Sequence, residues 1–391
     1  MRIEAQNVLG TAQFDALSAI DFLFPRGLDH HEMFAGVPVV EKAVASVARH
    51  LAGLGTLPER VPEPPARAVI RHCDLVVVGA GPAGLALTRI ASEAGLSVEV
   101  IDENASPGGR LLGQPGNHRA WLDETMRVLS LAKMAGKVTL HNNAVALGAY
   151  RDHHEARFLA VRHEREDDRL SLIYAQKFAL CPGGAETMPL FEGNDLPGVF
   201  AARGLLKLIY TQGVVPGERA VVHAENDEGL AVAEALERAG VEIVAVIDPR
   251  GVLQHSELRV LHGKLIKASD RRGRLSRCKV LTADGKTKAL SCELLACSMS
   301  PAPSFELARQ LGLRADFVPG LGFAISSGPG GVTALPHVFV AGEVQGPCNV
   351  DEAIERGRSC GRLISLSRSA SANASTNANA APRASTTEGA P

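Results

Sequence analysis

The residues best placed to do chemistry in this chain are glycines. Leu75-Val76-Val77-Val78 runs straight into Gly79-Ala80-Gly81-Pro82-Ala83-Gly84, and a helical pattern (Leu85, Leu87, Ile90, Ala91, Ala94) follows until Gly95 stops it. A second apolar strand, Val98-Glu99-Val100-Ile101, ends in Asp102, 18 residues past the third glycine. This strand, turn, helix and strand form a unit that binds a dinucleotide diphosphate. Gly79 permits the tight turn, Gly81 leaves room for the diphosphate, and Gly84 lets the helix pack closely on the strand. The diphosphate then lies on unpaired N–H groups at the positive end of the helix, a dipole attraction of about 0.3–1 kcal/mol. Pro82 and Ala83 lie within the same turn. Asp102, followed by Glu103, would accept hydrogen bonds from ribose hydroxyls and disfavour a 2′-phosphate, which makes NADP a poor fit.

The unit recurs. GLALTRIASEAGLSVEVID faces GLAVAEALERAGVEIVAVID, and Gly79, Gly81 and Gly84 correspond to Ala224, Asn226 and Gly229. Only the glycine needed for internal packing is kept, and Glu225, Asp227 and Glu228 surround the turn with acid. Two like charges about 4 Å apart repel by roughly 4 kcal/mol at an effective dielectric near 20, more than the dipole attraction. The expectation is a second nucleotide-type fold with little or no dinucleotide bound.

Other turns belong with the first unit. Pro107-Gly108-Gly109-Arg110 could approach the diphosphate or a cofactor ring, Phe178–Leu180 reads as a strand ending in Cys181-Pro182-Gly183-Gly184, and a late buried strand meets Gly342 and Glu343 before a helix through Ala353, Ile354 and Gly357. No nucleophile, base and orienting acid come together in the sequence, nor paired carboxylates with a reason to titrate apart. Chemistry would therefore reside in the cofactor. The tetrads Asp29-His30-His31-Glu32 and Asp152-His153-His154-Glu155 lack the i, i+4 spacing of a helical metal site and read as loop or interface residues. Lys264, Lys267, Arg271, Arg272, Arg274, Arg277 and Lys279 read as a solvated hairpin edge whose charge discourages sheet-to-sheet pairing. In CELLAC, Cys292 and Cys297 have no setting that would activate a thiolate.

These elements need a large frame, and 391 residues supply one. The expected class is α/β, with two Rossmann-like dinucleotide-binding folds, the second inserted into the first. The expected organisation is an N-terminal extension and linker (1–66), the first part of the dinucleotide domain (67–190), the inserted degenerate fold (191–300), the last part of the first domain (301–366) and a disordered tail (367–391). Leu57 to Pro65 is the linker, and an amphipathic helix is expected around Ala43, Val44, Val47, Ala48 and Leu51. A net charge of −2 with 21% charged residues carries no nucleic-acid footprint. Seven scattered Cys without a C-x-x-C pair suit reduced thiols, with no metal and no iron–sulfur cluster. The opening residues show no signal peptide, and no apolar run is long enough to span a membrane, so a cytoplasmic location is expected.

Over 69 to 366 the chain resembles the two-dinucleotide-fold flavoprotein reductases of glutathione-reductase-like architecture. By that resemblance Gly79, Gly81 and Gly84 bind the FAD diphosphate, Asp102 the adenosine ribose, and Gly342 and Glu343 meet the ribityl and phosphate groups. Gly183 belongs to a turn in which Cys181-Pro182-Gly183 replaces the usual Ala-Thr-Gly, and Glu343 replaces the usual Asp. A nearer resemblance, carried by FALCPGGAETMPLFEGNDLPGVFAARGLLKLIYTQGVVPGERAVV and HAENDEGL, is to the α subunits of heterotetrameric sarcosine oxidase, opine oxidases, hydroxyproline dehydrogenases and hydrogen cyanide synthases. It implies an oxidoreductase subunit of an amine- or amino-acid-oxidising complex, binding FAD or alternatively NAD at the first site. The partner would be a flavin-bearing β subunit that handles a small-molecule amine. A stand-alone FAD-dependent NADH oxidoreductase and a non-catalytic adenine-nucleotide-binding protein are the alternatives. Folate and iron–sulfur chemistry are not expected, since no folate-handling domain is recognisable and no cysteine precedes Cys73.

Overall fold

The computed structural model describes residues 10–11, 14–15, 68–113, 117–154, 156–164, 169–226, 228–319 and 322–379, with side chains only between 68 and 366. Two compact units are present, Met1–Pro65 and Ala66–Pro391. In the first, Gly10–Thr11 pairs antiparallel with Phe14–Asp15. The expected helix near Val47, the Leu57 to Pro65 linker and the tetrad at Asp29 lie outside the described residues.

The second unit opens with β1 (Val69–Val78), α1 (Pro82–Glu93), β2 (Val98–Ile101), α2 (Asn117–Met134), β3 (Val138–His141), β4 (Ala144–Arg151), β5 (Arg157–His163) and β6 (Leu170–Leu180). The chain then departs into β7 (Val199–Ala201), α3 (Ala202–Gln212), β8 (Arg219–Ala224), α4 (Glu228–Arg238), β9 (Glu242–Asp248), β10 (Val260–Arg271), β11 (Arg274–Thr282), β12 (Thr287–Ser291) and β13 (Leu294–Ser298). It returns through β14 (Val338–Val340) and α5 (Val350–Asn379).

The first sheet has the order β3-β2-β1-β6-β5-β4, with β14 also on β6. Strands β3, β2, β1, β6 and β14 are parallel, and β6, β5 and β4 form an antiparallel meander. The second sheet, β7-β13-β8-β9-β10-β11-β12, repeats this plan, with a parallel core from β7 to β10 followed by an antiparallel meander. Because β14 pairs with β6 across more than a hundred intervening residues, the second fold is inserted into the first.

The run Leu75 to Val78 is continuously apolar because both of its faces are covered. Leu75 and Val77 pack under α1 and α5, while Val76 packs under the meander. Pro82 occupies the first turn of α1, where its missing N–H costs nothing, and Leu85 and Leu87 are fully buried, each contributing about 1.5–3 kcal/mol. The backbone of α5 continues to Asn379, past the boundary at 367 where composition predicts a disordered tail. Residues 367–379 contain neither Gly nor Pro, and extending a helix already docked by Ile354, Cys360 and Ile364 costs far less than nucleating one. Among the described residues no helix is long and apolar enough to cross a membrane.

Candidate functional site: a dinucleotide cradle and its sealed duplicate

The turn after β1 is built by contacts that glycine alone permits. Gly79 has φ +99°, and a side chain there would meet the Cys181 carbonyl oxygen at 2.1 Å. A Cβ at Gly84 would lie 1.9 Å from the Gly79 oxygen, so this glycine sets how closely α1 approaches the strand. Gly81 differs from both, because nothing lies within 4 Å of the position its Cβ would take. That space is open to a ligand, and the first-turn N–H groups of α1 have no intrahelical acceptor.

The open space belongs to a cavity of about 690 Å³, within the range of cofactor sites. The sequence nominated twelve contacts, and Gly79, Gly81, Pro82, Ala83, Asp102, Glu103, Gly109, Arg110, Gly183, Gly342 and Glu343 all border the cavity. Gly84 lies behind it, in its packing role.

Two acids are used differently from the sequence expectation. Asp102 is buried and already engaged: Oδ2 accepts the Ala80 N–H at 2.6 Å, and Oδ1 accepts the Asn104 N–H at 2.8 Å and its side-chain amide at 2.9 Å. A carboxylate offers about four acceptor positions, so roughly one is left for a ribose hydroxyl. Glu103, exposed beside it, faces the same cavity. Glu343 is committed to cations. Its Oε1 accepts from Arg110 at 2.8 Å and from Arg203 at 2.9 Å, and its Oε2 accepts from Arg203 at 3.1 Å.

The same two guanidinium groups hold Glu228, from Arg110 at 2.8 Å and from Arg203 at 2.8 Å, and Arg110 also donates to the Cys348 carbonyl. The four side chains close a ring that ties the first fold (Arg110, Glu343) to the inserted one (Arg203, Glu228). Burial works against the charge on Arg203, but hydrogen bonds and attraction from Glu343, then Glu228, raise its pKa. Glu186 receives the Arg203 N–H at 2.8 Å and the Gly204 N–H at 3.0 Å, capping α3 at the cavity wall, and burial raises its carboxyl pKa above the usual range. Arg203, Glu186 and Lys207 border the cavity but escaped sequence reading. Arg203 and Lys207 come from the inserted fold and Glu186 from the connection leading into it, and no local motif marks them.

The duplicate site is filled from within. Asn226 stands where Gly81 stands in the first unit, accepting from Ser298 Oγ at 2.8 Å and donating to the Met299 carbonyl at 3.0 Å. Asp248, the counterpart of Asp102, is wholly buried and receives the N–H groups of Arg250, Val252 and Leu253 at 3.0, 2.6 and 2.7 Å. Two arginines neutralise Glu228, one of the three acids expected to repel a diphosphate there. The acceptors and the space have been spent on the fold itself. Elsewhere, Asp152 receives the N–H groups of His154 and Ala156 within its own turn. The thiol beside Cys292 is that of Cys278, not Cys297; their hydrogen bond and burial raise the Cys278 pKa.

The comparisons with known proteins agree with this geometry. Residues 77–123 match the family described as NAD(P)-binding Rossmann-like domain. Sarcosine oxidase subunit alpha of Rhizobium meliloti (strain 1021) is 31% identical over 283 residues, which cover 69% of this chain and 29% of that protein. The chain thus spans less than a third of this relative. The L-proline dehydrogenase from P. horikoshii superposes with a TM-score of 0.61 at 20% identity, covering 76% of this chain and 56% of that one. The T. acidophilum thioredoxin reductase gives 0.59 at 14% identity, covering 76% of this chain and 99% of that one. The fold is that of the two-dinucleotide-fold oxidoreductases, and the sequence is similar to the sarcosine oxidase α subunit.

Proposed function

We propose that this chain is the dinucleotide-binding subunit of a sarcosine-oxidase-like complex that oxidises an amine or amino acid, holding FAD, or alternatively NAD, in its first fold. The observation that carries the reading is the contrast between the two units. One has open space at Gly81 before a helix N-terminus, and the other has its space taken by Asn226 and its acid consumed by backbone N–H groups. The residues around the first cavity fit such a group. The first turn of α1 would bind the diphosphate, Glu103 and the remaining acceptor of Asp102 would orient the ribose, and Gly109 and Gly183 would let backbone approach the cofactor. A bound flavin or nicotinamide would supply two-electron chemistry. Seven free thiols accord with a cytoplasmic setting.

A partner subunit bearing its own flavin would perform the amine oxidation, with this chain passing electrons or serving as scaffold. A second reading, a non-catalytic adenine-nucleotide protein, is favoured by Glu343. The late-turn acid expected to meet a ribityl group accepts three hydrogen bonds from Arg110 and Arg203 instead. The deciding measurement is the visible spectrum of freshly purified protein, followed by denaturation and mass analysis of the released nucleotide. A stoichiometric dinucleotide supports the first reading, and a colourless protein releasing ADP supports the second. Full amine dehydrogenase activity from the chain alone would exclude the subunit role.

A further inference from the structure

The outer face of the β10–β11–β12 meander carries charge that the cofactor site does not use. Residues 260–291 hold nine Lys or Arg against two Asp, a surplus of seven in a chain whose net charge is −2. Strand alternation explains where it goes. The pairs Leu265 with Val280 and Ala268 with Cys278 are buried inward, so Lys264 with Leu281, Lys267 with Lys279 and Ser269 with Arg277 face outward. Lys267 lies directly opposite Lys279, and Arg271 opposite Arg274, arrangements that cost stability rather than add it.

Edge protection does not account for this. The edge strand is β12, and the residues it places opposite Leu281, Lys279 and Arg277 are Thr287, Ala289 and Ser291, with no carboxylate among them. Lys267 is answered by Glu192. Among the described residues, no ion pair answers Lys264, Arg271, Arg272, Arg274, Arg277 or Lys279.

We infer that this face is a docking surface for a protein partner presenting a carboxylate-rich surface. Four of the six unanswered cations are arginines, whose planar forks match carboxylates and which are enriched at protein interfaces. Ile266 and Leu281, 39% and 40% exposed, lie on the same meander, where a protein face can cover them and a phosphate backbone cannot. No Phe, Tyr or Trp occurs between 260 and 291 to stack on bases. The inference rests on the subunit reading only in requiring that a partner exists.

The test uses the full chain and a fluorescently labelled peptide of alternating Glu and Leu as probe, with duplex DNA and phosphatidylserine vesicles as comparators. Anisotropy should show saturable peptide binding that weakens with added salt. The variant Arg271→Ser/Arg274→Ser/Arg277→Ser should bind at least about fivefold more weakly, since three exposed charge contacts are lost. Lys286→Ser, at a turn lysine already paired with Asp284, should bind as the parent does. Absence of saturable peptide binding at low ionic strength, an unaltered triple variant, or tighter binding to DNA or vesicles would overturn the inference. Unchanged bound nucleotide in the triple variant checks its fold. A chain that carries no nucleotide yet binds the peptide would defeat the cofactor reading and leave this one standing.

Discussion

Two glycines of one turn, three residues apart, should respond in opposite ways to a side chain. Gly81 has φ −77° with free space ahead of it, so the Gly81→Val apoprotein should unfold within about 1 kcal/mol of the parent apoprotein, while the variant loses its nucleotide. Gly84→Ala would drive a methyl into the Gly79 carbonyl and should cost about 3 kcal/mol. Chemical denaturation and nucleotide content, measured together, separate the two roles. His223 gives a pH signature. It is 4% exposed, its Nδ1 has no partner among the described residues, and burial lowers its pKa from 6.5 to about 4, against a smaller opposing pull from Asp248. The unfolded chain therefore takes up a proton that the fold refuses. This contribution is complete above about pH 6.5 and is lost as the pH falls toward 4, by roughly 3 kcal/mol. His223→Phe should flatten the urea-unfolding profile across that interval. Glu99 acts in the same direction at lower pH: burial would raise its carboxyl, but hydrogen bonds from His141 and Arg71 win and hold it below 4.5, so its stabilisation fades in acid.

Among the elements, the crossing of α5 on α1 leaves no room for added side chains. A Cβ at Gly357 would sit 2.1 Å from the Ala83 oxygen, and one at Gly361 would sit 2.9 Å from Ile90 Cβ. Gly357→Ala should therefore push α5 off α1, cost about 3 kcal/mol and lower nucleotide occupancy as well, since Ala83 borders the cavity. Loss of occupancy without loss of stability would contradict this. The sequence already read Gly357 as lying in a helix, but not the helix it crosses. Strand β2 and both glycine turns were legible because local spacing determines them: a continuous apolar run, a left-handed glycine and a terminal acid all lie within 28 residues. The commitment of Asp102 to Ala80 and of Asp248 to its own loop was not legible. A carboxylate at a strand end looks the same in sequence whether a ligand or a backbone N–H satisfies it.

For the molecule as a whole, the ring of Arg110, Glu343, Arg203 and Glu228 fastens one fold to the other. Arg203→Met would leave two carboxylates sharing Arg110 in a mostly desolvated setting, at a cost of about 3 kcal/mol or more. Hydrogen exchange should then rise in α3 and α4 before it rises in β1. Equal protection throughout would mean that the ring does not hold the two folds together. The route of the chain has a further consequence, for synthesis. The floor of the cradle is laid down by residue 113, yet its far wall, Gly342 and Glu343, and the helix that braces α1 arrive more than two hundred residues later. During translation the inserted fold has all its strands by Ser298, while the older half still lacks β14. A nascent polypeptide therefore carries every strand of the inserted fold before the sheet of the first is complete, which would place closure of the cradle among the last events of its maturation.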